Sequence, residues 1–327
     1  MNNDFNSKCH SMAPDFTNSV QRVGYVLQRG GFTHLLRRHH RVSCLCGEGD
    51  AVKWDSNLPE YLFMDVVLPV RFACWDKKGM SEEEWWKRQR WYYKNKVHSY
   101  ILLPSGQIVL KHTGNPSGQD STTDDNCIMH TFILCYAWRK LFGRSLYDDR
   151  LEARFDIYAD DHIWSIPEKF KRFASYEVRK EVYALFGVEL SREKDLVTSS
   201  PEGHTFLGPK AELKGDSYVP VYNREKIMCA ALHMEHKYPL DIQIGRIISL
   251  MMNCAFDREA FEHLRAYAFY LFDRCHKITL PDDIDMDLPL KWLETIPSIS
   301  EVRAFWMGYE DKRPKTKGCR TPGFKII

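Results

Sequence analysis

The segment GNPSGQDSTTDDN, residues 114–126, places thirteen small, polar and turn-forming residues directly before an apolar stretch. Its two glycines and one proline adopt or impose backbone angles that other residues resist. Hydroxyl and amide side chains follow at spacings that can direct several hydrogen-bonding groups toward one ligand. The composition therefore predicts a binding site in front of a helix, and carboxylates elsewhere in the chain decide which ligand it serves.

The composition of the 327-residue chain limits the class of protein. Hydrophobic residues make up 44% and charged residues 28%, enough for the core of one large domain or of two ordinary ones. No apolar run reaches the roughly eighteen residues of a transmembrane helix, and residues 1–10 lack the basic-then-apolar pattern of a signal peptide. We expect no intrinsic transmembrane segment, so that any association with membranes comes through partners.

The ten cysteines are scattered and form no CxxC pair, which favours reduced thiols in a cytosolic compartment. Cys44 and Cys46 are one residue apart, and we expect them to flank a buried strand rather than to bind zinc. The formal net charge is only +2, which excludes a globally basic nucleic-acid-binding protein. A local basic channel remains compatible with this balance.

Four Asp-Asp dipeptides occur in the chain, and chance or solvated turns explain most of them. Asp160-Asp161 differs because apolar residues of strand character precede and follow it, which predicts a hairpin over 154–166 with both acids at its turn. Asp50 lies within a short buried stretch that ends at Trp54, and Asp55 follows directly. Each pair alone is consistent with a capped strand end or a solvated turn, whereas the conjunction favours a metal site.

Periodicity and capping signals predict the elements along the rest of the chain. Strand character on both sides of a Pro-Ser-Gly-Gln turn predicts a hairpin over 100–110, and Ser81 followed by three acids predicts the start of a helix over 85–96. Mostly helical sequence after Gly208 indicates a second subdomain beginning near residue 210. A short strand is predicted over 45–54, and further helices over 17–29, 32–40, 127–142, 168–186, 224–236, 242–256 and 258–276.

In their order and spacing, residues 50–55 (Asp-x4-Asp), 114–126 and 158–161 (Tyr-Ala-Asp-Asp) resemble motifs A, B and C of viral RNA-dependent RNA polymerases, closest to the astrovirus-like branch. Residues 185–194 are similar to motif D, and residues 205–208 (Thr-Phe-Leu-Gly) are similar to motif E, the primer grip. The resemblance implies an α+β right-hand polymerase fold. In that fold an antiparallel palm sheet is backed by helices and accompanied by partial fingers and a mostly helical thumb.

The resemblance also implies an order of regions along the chain. Residues 1–44 correspond to partial fingers and helices before the palm, and residues 45–210 to the palm with motifs A to E. A fingers insertion is expected at about 60–113, and residues 211–327 correspond to the thumb by position and helical content. Only 49 residues precede Asp50, and the basic motif F is not recognisable, so we expect an incomplete chain that lacks the N-terminal fingers.

A two-metal catalytic site follows from the resemblance. Two divalent ions about 3.5 to 4 Å apart stabilise the attacking and leaving oxygens of nucleotidyl transfer, and Mg²⁺ prefers carboxylate oxygens. Asp50 and Asp160 would bridge two Mg²⁺ ions, with Asp161 as an outer or alternating ligand and Mn²⁺ as a substitute metal. Lys194 is the candidate general acid that protonates the leaving pyrophosphate, and a solvated lysine is its alternative interpretation.

The resemblance assigns nucleotide recognition to the segment of motif B. Asp55, Asn126 and Thr122 are expected to sense the 2′-hydroxyl, because its donor and acceptor need polar partners that a deoxynucleotide would leave unpaired. Ser117-Gly118 would be the flexible hinge that adjusts the template base and the nascent pair. The primer grip would consist of Phe206, Leu207 and Gly208.

Two departures from the family pattern are visible in the sequence. Ala159 stands where these polymerases usually have glycine, which adds one methyl group at the turn before the metal acids. Asp120, Asp124 and Asp125 make motif B unusually acidic, and the sequence offers no role for them.

Basic and aromatic regions have two interpretations each. For residues 85–96 an aromatic face packed under the palm with basic side chains outward is favoured over stacking on nucleic acid. Residues 37–41 and 312–317 are candidates for contact with template or product RNA. A solvated helix face and a frayed terminus are the respective alternatives.

The expected function is RNA-templated RNA synthesis from nucleoside triphosphates in viral genome replication and transcription. The expected partners are template and product RNA, nucleoside triphosphates and other viral replication proteins. The expected location is the host cytoplasm, at membrane-associated replication complexes. A reverse transcriptase is one alternative, because Tyr-Ala-Asp-Asp is common in intron-type enzymes, although Asp55 and motif B favour ribonucleotides. A non-catalytic RNA-binding or replication-scaffold fragment is the other.

Overall fold

The computed structural model describes residues 26–42, 45–119, 121–233, 238–275, 292 and 295–309. The chain forms two compact units. The first unit contains Arg38–Leu207, and the second contains Tyr25–Arg37 and Gly208–Lys317. The long segment of the second unit thus begins close to residue 210, where the change in sequence character suggests a new subdomain.

The first unit combines short strands with helices. Its strands are β1 (Leu45–Gly49), β2 (Ala51–Val52), β3 (Tyr100–Leu102), β4 (Ile108–Leu110), β5 (Arg154–Tyr158), β6 (Asp161–Ile166), β7 (Glu189–Leu190) and β8 (Leu196–Thr198). Its helices are α2 (Trp54–Asn57), a π-helix (Leu62–Val67), α3 (Leu68–Cys74), α4 (Glu82–Val97), α5 (Thr122–Phe142), a 3₁₀-helix (Glu168–Ala174) and α6 (Tyr176–Ala184). Helix α1 (Gly31–Val42) contributes residues to both units.

A four-stranded sheet in the order β5-β6-β1-β8 forms the centre of the first unit, and its described strand pairs are antiparallel. The hairpin predicted over 154–166 is confirmed, because β5 and β6 pair up to Tyr158 opposite Asp161. Strand β1 pairs with β6 so that Gly49 lies opposite His162. The end of β1 and the turn of the hairpin therefore meet at one edge of the sheet, which brings Asp50 near Asp160.

Aromatic packing fills the core of the first unit. The Trp138 indole of α5 packs edge-on against Phe170 at 4.5 Å between ring centroids, and against Phe155 of β5 at 5.8 Å. Trp164 of β6 packs on Phe173 at 5.4 Å. Burial of large aromatic side chains provides much of the stability of such a core, so α5 and the sheet are fixed relative to each other.

Helix α1 contributes a buried polar contact to the sheet that the sequence does not reveal. His39 is fully buried, with Nδ1 at 2.7 Å from Ser165 Oγ and Nε2 at 2.6 Å from Asp156 Oδ2. Neither an RNA contact nor a solvated face, the two interpretations of residues 37–41, describes this residue. Paired buried polar groups of this kind fix the packing of a helix.

Two predicted elements are interrupted in the structure. The strand predicted over 45–54 ends at Gly49, resumes for two residues in β2, and gives way to α2 after Lys53, whose φ is 50°. The helix predicted over 168–186 is divided at Ser175, whose φ of −67° and ψ of 123° are extended. In each case a local change of backbone conformation interrupts a continuous apolar pattern.

The helix predicted over 85–96 is confirmed as part of α4, and the Ser81 hydroxyl accepts a hydrogen bond from the Glu84 amide as predicted. The predicted division into an aromatic inner face and a basic outer face is only partly right. Trp85 is buried, but Trp91 is 68% exposed and Lys96 is buried. Lys96 lies inward because it forms an ion pair with the buried carboxylate of Asp125, which is described below.

The other sequence-based predictions of elements hold with shifted bounds, are wrong in part, or fall outside the described residues. The hairpin over 100–110 is confirmed as β3 and β4, and Cys46 is buried in β1. Residues 26–29 of the helix predicted over 17–29 are not helical. Cys44, residues 17–25 and residues 312–317 lie outside the described residues.

The second unit is mostly helical. It contains the hairpin of β9 (Lys210–Lys214) and β10 (Ser217–Val221) and the helices α7 (Arg224–Leu232), α8 (Leu240–Asn253), α9 (Arg258–Phe272) and α10 (Ile299–Met307). The Thr33 hydroxyl donates to the Tyr218 carbonyl at 2.6 Å, and the Trp306 indole N–H donates to the Met252 carbonyl at 2.8 Å. Within the described residues of both units, none of the helices has the length and apolar character needed to cross a bilayer.

Gly47 is the position where the central sheet tolerates no side chain. It lies opposite Trp164, and a Cβ atom at Gly47 would overlap the Trp164 indole. We expect Gly47→Ala to lower the free energy of unfolding by about 1–3 kcal/mol, the usual cost of overpacking a core. Denaturant unfolding measures this. In the Trp164→Leu background the same substitution should cost less, and an equal cost in both backgrounds would contradict the steric explanation.

Candidate active site

The three acids predicted to hold metal lie at the edge of the central sheet. Asp50 follows β1, Asp160 occupies the turn between β5 and β6, and Asp161 opens β6. Burial raises the pKa of Asp160, and the negative charges of Asp50 and Asp55 raise it further. Burial likewise raises the pKa of Asp161 to about 7, with Asp160 among the acids that add to the effect. The carboxylates are therefore close enough to repel one another.

Lys194 provides a positive charge at this edge. Its ammonium group forms an ion pair with Asp50, and this hydrogen bond is the largest cause that raises the pKa of Lys194. The lysine follows β7 in the segment similar to motif D, and the Ser191 amide of that segment donates to the Asp50 carbonyl at 2.9 Å. Backbone and side chain of this segment therefore both attach to Asp50.

The donor chemistry of this edge fits Mg²⁺. Mg²⁺ takes oxygen ligands and is usually held by one or two protein carboxylates together with water and substrate phosphates. Among the described residues no group of three or more His, Cys, Asp or Glu side chains is arranged around a common point as a metal cage. Asp50 and Asp160 nevertheless supply the hard oxygens, and a cation between them would relieve the repulsion that raises the pKa of Asp160.

Helix α5 holds the turn that carries the two acids. The Ala159 amide donates to Cys127 Sγ at 3.2 Å, and His130 Nδ1 lies 2.8 Å from the Ala159 carbonyl. A carbonyl only accepts hydrogen bonds, so Nδ1 carries the proton and Nε2 accepts from the Tyr183 hydroxyl at 2.9 Å. Burial lowers the pKa of His130 to about 4, which keeps the ring neutral.

Motif A and motif B meet at Asp55. Ser117 Oγ donates to Asp55 Oδ2 at 2.5 Å, and Asn126 Nδ2 donates to Oδ1 at 3.3 Å. The backbone amide of Asn115 also donates to the backbone carbonyl of Asp55 at 2.7 Å. At Gly114, whose φ is 92°, a Cβ atom would overlap this carbonyl, so only glycine lets the segment lie on motif A.

The remaining two residues of the expected nucleotide site lie in the loop itself. The Thr122 hydroxyl donates to the Pro116 carbonyl at 2.6 Å, which closes the loop onto the start of α5. Gly118 has a φ of 83° and open space around its Cα atom. The structure thus brings Asp55, Ser117 and Asn126 together and directs the Thr122 hydroxyl into the loop.

Motif E is attached to the same edge by two carboxylates. The Leu207 amide donates to Asp161 Oδ2 at 2.6 Å, and the Thr205 amide donates to a carboxylate oxygen of Glu48 in β1. Phe206 is buried, whereas Leu207 has a φ of 57°. The third residue of the expected grip, Gly208, has a φ of 101°. Glu48 was not identified from the sequence, because a lone glutamate in a strand carries no motif.

Asp125 is the other residue that sequence reasoning missed. It is 0% exposed, and its carboxylate accepts hydrogen bonds from Arg71 Nε and Nη2, Tyr93 Oη, Lys96 Nζ and Ser121 Oγ at 2.7 to 3.0 Å. Its partners come from α3, α4 and the residue before α5. One of the three unexplained aspartates of motif B is therefore structural. Asp124 is half-buried and Asp120 lies outside the described residues.

A family model described as viral RNA-dependent RNA polymerase matches residues 13–272. The chain belongs to this family. The family expected from the three motifs is thereby confirmed, and the reverse transcriptase alternative loses its support. Helices with antiparallel sheets agree with the α+β class expected for such a polymerase.

The chain is also similar to segments of viral polyproteins. It is 28% identical over 249 residues to the non-structural polyprotein 1AB of turkey astrovirus 2, covering 71% of this chain and 15% of the polyprotein. With the non-structural polyprotein 1AB of ovine astrovirus 1 it is 30% identical over 190 residues, covering 57% of this chain and 14% of the polyprotein. With the genome polyprotein of peanut mottle virus (strain M) it is 27% identical over 283 residues, covering 80% of this chain and 8% of the polyprotein. The chain thus spans a small part of each relative.

Removal of the Asp125 carboxylate should unfold much of the first unit. Asp125→Ala removes the ion pair of Arg71 and leaves Lys96 buried without its counter-charge, a loss that typically costs about 3–5 kcal/mol. Denaturant unfolding should therefore give a much lower free energy of unfolding. Glu181→Ala, at an exposed acid of α6, is the matched control and should stay within about 0.5 kcal/mol. Equal effects of the two substitutions would mean that the Asp125 cluster does not stabilise the fold.

Replacement of Ala159 by glycine should stabilise the turn. Ala159 has a φ of 57°, a conformation that costs a residue with a Cβ atom about 1–2 kcal/mol. Glycine avoids this cost but gives the unfolded chain extra entropy, which offsets about 0.4–1 kcal/mol. We expect Ala159→Gly to raise the free energy of unfolding by up to about 1 kcal/mol, as measured by denaturant titration. A clearly less stable variant would show that the turn is not strained.

Proposed function

We propose that the chain carries the active site for RNA-templated RNA synthesis from nucleoside triphosphates in viral genome replication and transcription. Family membership supports the reaction. The assignment of this reaction to particular residues rests on one observation, namely that two clusters of polar side chains lie close together in the first unit. Asp50, Asp160 and Lys194 form one, and Asp55 with its partners in motif B forms the other.

Asp50 and Asp160 are assigned to hold two Mg²⁺ ions, for which Mn²⁺ can substitute, and Asp161 is the outer or alternating ligand. The bound ions would stabilise charge on the attacking and leaving oxygens. Asp160 is half-buried, and its raised pKa marks an acid whose charge is disfavoured without a neighbouring cation. The Leu207 amide holds one oxygen of Asp161 and leaves the other oxygen for an outer contact.

Lys194 is assigned to give a proton to the leaving pyrophosphate. The carboxylate of Asp50 raises the pKa of Lys194, so the amine is protonated before the reaction. A donor of this kind must lie close to the atom that it protonates, and the ion pair with Asp50 supports such a position. The exposed amine is able to leave Asp50 for a ligand that binds there.

The regions of the polymerase are assigned from the same observations. Residues 45–210 are the palm with a fingers insertion at about 60–113, residues 1–44 belong to partial fingers, and residues 211–327 are the thumb. The boundary between the two compact units at Leu207 supports the end of the palm. Phe206, Leu207 and Gly208 are assigned as the primer grip. The relatives that the chain matches are much longer polyproteins, so a longer polymerase that contains this chain is the form in which synthesis is tested.

The partners that follow are template and product RNA, nucleoside triphosphates and other viral replication proteins. Replication in the host cytoplasm, with membrane association through those proteins, fits the astrovirus-type relatives. A non-catalytic scaffold is less favoured, because a scaffold has no need for a partly buried acid whose pKa is raised by burial and by the charges of Asp50 and Asp55.

The proposal predicts that Asp160→Ala abolishes synthesis without loss of stability. Removal of this carboxylate takes away a metal ligand but also relieves repulsion from Asp50. RNA synthesis on a primed RNA template with Mg²⁺ should fall by at least about 10³-fold, a loss typical of essential catalytic groups. Asp148→Ala, at an exposed acid of another Asp-Asp dipeptide, is the matched control and should keep full activity. Synthesis by Asp160→Ala would remove this residue from the site.

A comparison of leucine and arginine at position 194 tests the role of Lys194 as a proton donor. Lys194→Leu should slow nucleotide addition by about 10²-fold, within the usual contribution of general acid catalysis. Lys194→Arg keeps the charge and can pair with Asp50, but arginine retains its proton, so we expect it to be nearly as slow. Lys140→Leu, at an exposed lysine of α5, should have no effect. Full activity of Lys194→Arg would show that only the charge matters.

A further inference from the structure

Asn115 lies beneath the cluster of polar residues around Asp55. It is 0% exposed, and its Nδ2 donates to the Thr122 carbonyl at 3.1 Å and to Asn126 Oδ1 at 2.7 Å. Asn126 in turn donates from Nδ2 to Asp55 Oδ1 at 3.3 Å. The two amides therefore connect the backbone at the start of α5 with the carboxylate of motif A.

The acceptors at both ends of this connection fix the orientation of both amides. A backbone carbonyl only accepts hydrogen bonds, so the group of Asn115 that faces Thr122 must be its NH₂. The same NH₂ also faces Asn126, so the group of Asn126 that accepts from it must be the oxygen Oδ1. The carboxylate of Asp55 also only accepts, so the NH₂ of Asn126 must face Asp55. Rotation of either amide by 180° would set oxygen against oxygen.

The other polar atom of Asn115 indicates that stability alone does not explain the residue. Its Oδ1 is buried and has no hydrogen-bond partner among the described residues. An acceptor that is buried without a partner costs folding free energy, whereas an apolar side chain of the same shape would avoid this cost. Proteins commonly retain such a cost where the same side chain has a role in a functional site, and here the other polar atom, Nδ2, faces Asn126.

We propose that Asn115 is a positioning residue for ribose selection, which locks the Asn126 amide with its N–H groups toward Asp55 and the incoming sugar. The proposal deepens the function proposed above and rests on it.

The lock determines the polarity of the sugar site. Asp55 accepts from Asn126 at one oxygen and from Ser117 at the other, and each carboxylate oxygen can accept once more. Asn126 presents N–H only, because its oxygen is held by Asn115. A ligand group that bridges them must therefore donate to Asp55 and accept from Asn126. A 2′-hydroxyl can do both, a 2′-fluorine can at most accept, and a 2′-hydrogen can do neither.

The test compares Asn115→Leu with the unmodified sequence, each within the longer polymerase that contains this chain, in primer extension on RNA. The ratio of kcat/KM for ATP to that for dATP should fall by about tenfold, the value of one hydrogen bond lost in the transition state. The ratio of ATP to 2′-fluoro-ATP should fall by less, because the fluorine also loses the N–H of Asn126, the one group there that it can accept from. Asn115→Ala, which cannot clash, is the second variant if the leucine variant does not fold, and the same loss is expected.

A double substitution separates positioning from a general structural effect. In the Asn126→Ala background, Asn115→Leu should change the ATP to dATP ratio by less than twofold, because the residue through which Asn115 acts is absent. The matched control is Thr131→Val in α5, which removes a hydrogen bond to the Cys127 carbonyl at 2.7 Å away from the sugar site. This control should leave the ratio unchanged.

The outcomes distinguish this inference from the function on which it rests. If the longer polymerase with Asn115 intact makes no RNA, the proposed function fails. If it makes RNA and prefers ATP, but Asn115→Leu and Asn115→Ala keep that preference, the role of Asn115 is wrong. An equal loss of preference in the Asn126→Ala background also overturns it, because Asn115 would then act by another route.

Discussion

The buried carboxylate of Asp125 is the interaction on which the rest of the site depends. Five donors from α3, α4 and the residue before α5 converge on it, and they include the buried cations of Arg71 and Lys96. Asn126 is the next residue in the chain and carries the amide that reaches Asp55. The position of the cluster that we propose to sense the sugar is therefore set by a buried salt bridge.

Helix α5 extends the same constraint to the acids that we propose to hold metal. Just after Asp125 in the same helix, Cys127 and His130 hold the amide and the carbonyl of Ala159. The first three turns of a single helix thus fix both motif B and the turn of motif C. The helix is itself held by aromatic packing against the sheet. Catalysis by preorganised groups requires this kind of rigid support, because misplacement by about 1 Å costs rate.

The sequence predicted the hairpin over 154–166, the cap at Ser81 and the order of the motifs, because these depend on residues close together in the chain. The cluster of Asp125 was not predicted, because its partners Arg71 and Lys96 lie 54 and 29 residues away. Burial of His39 escaped prediction for the same reason. A run of polar residues also has the same sequence pattern whether it faces solvent or pairs with a buried charge. Only the packing of α3 and α4 against Asp125 shows which of the two environments applies.

Diffraction from crystals soaked in Mn²⁺, recorded at its absorption edge, tests the central assignment most directly. If Asp50 and Asp160 hold the metal ions, an anomalous peak should lie within about 2.0–2.3 Å of carboxylate oxygens of both residues, close to the range for hard divalent ions. The ammonium group of Lys194 should also have moved off Asp50. Mn²⁺ bound only at other acids, with the ion pair of Lys194 and Asp50 intact, would show that Asp50 and Asp160 are not the metal ligands.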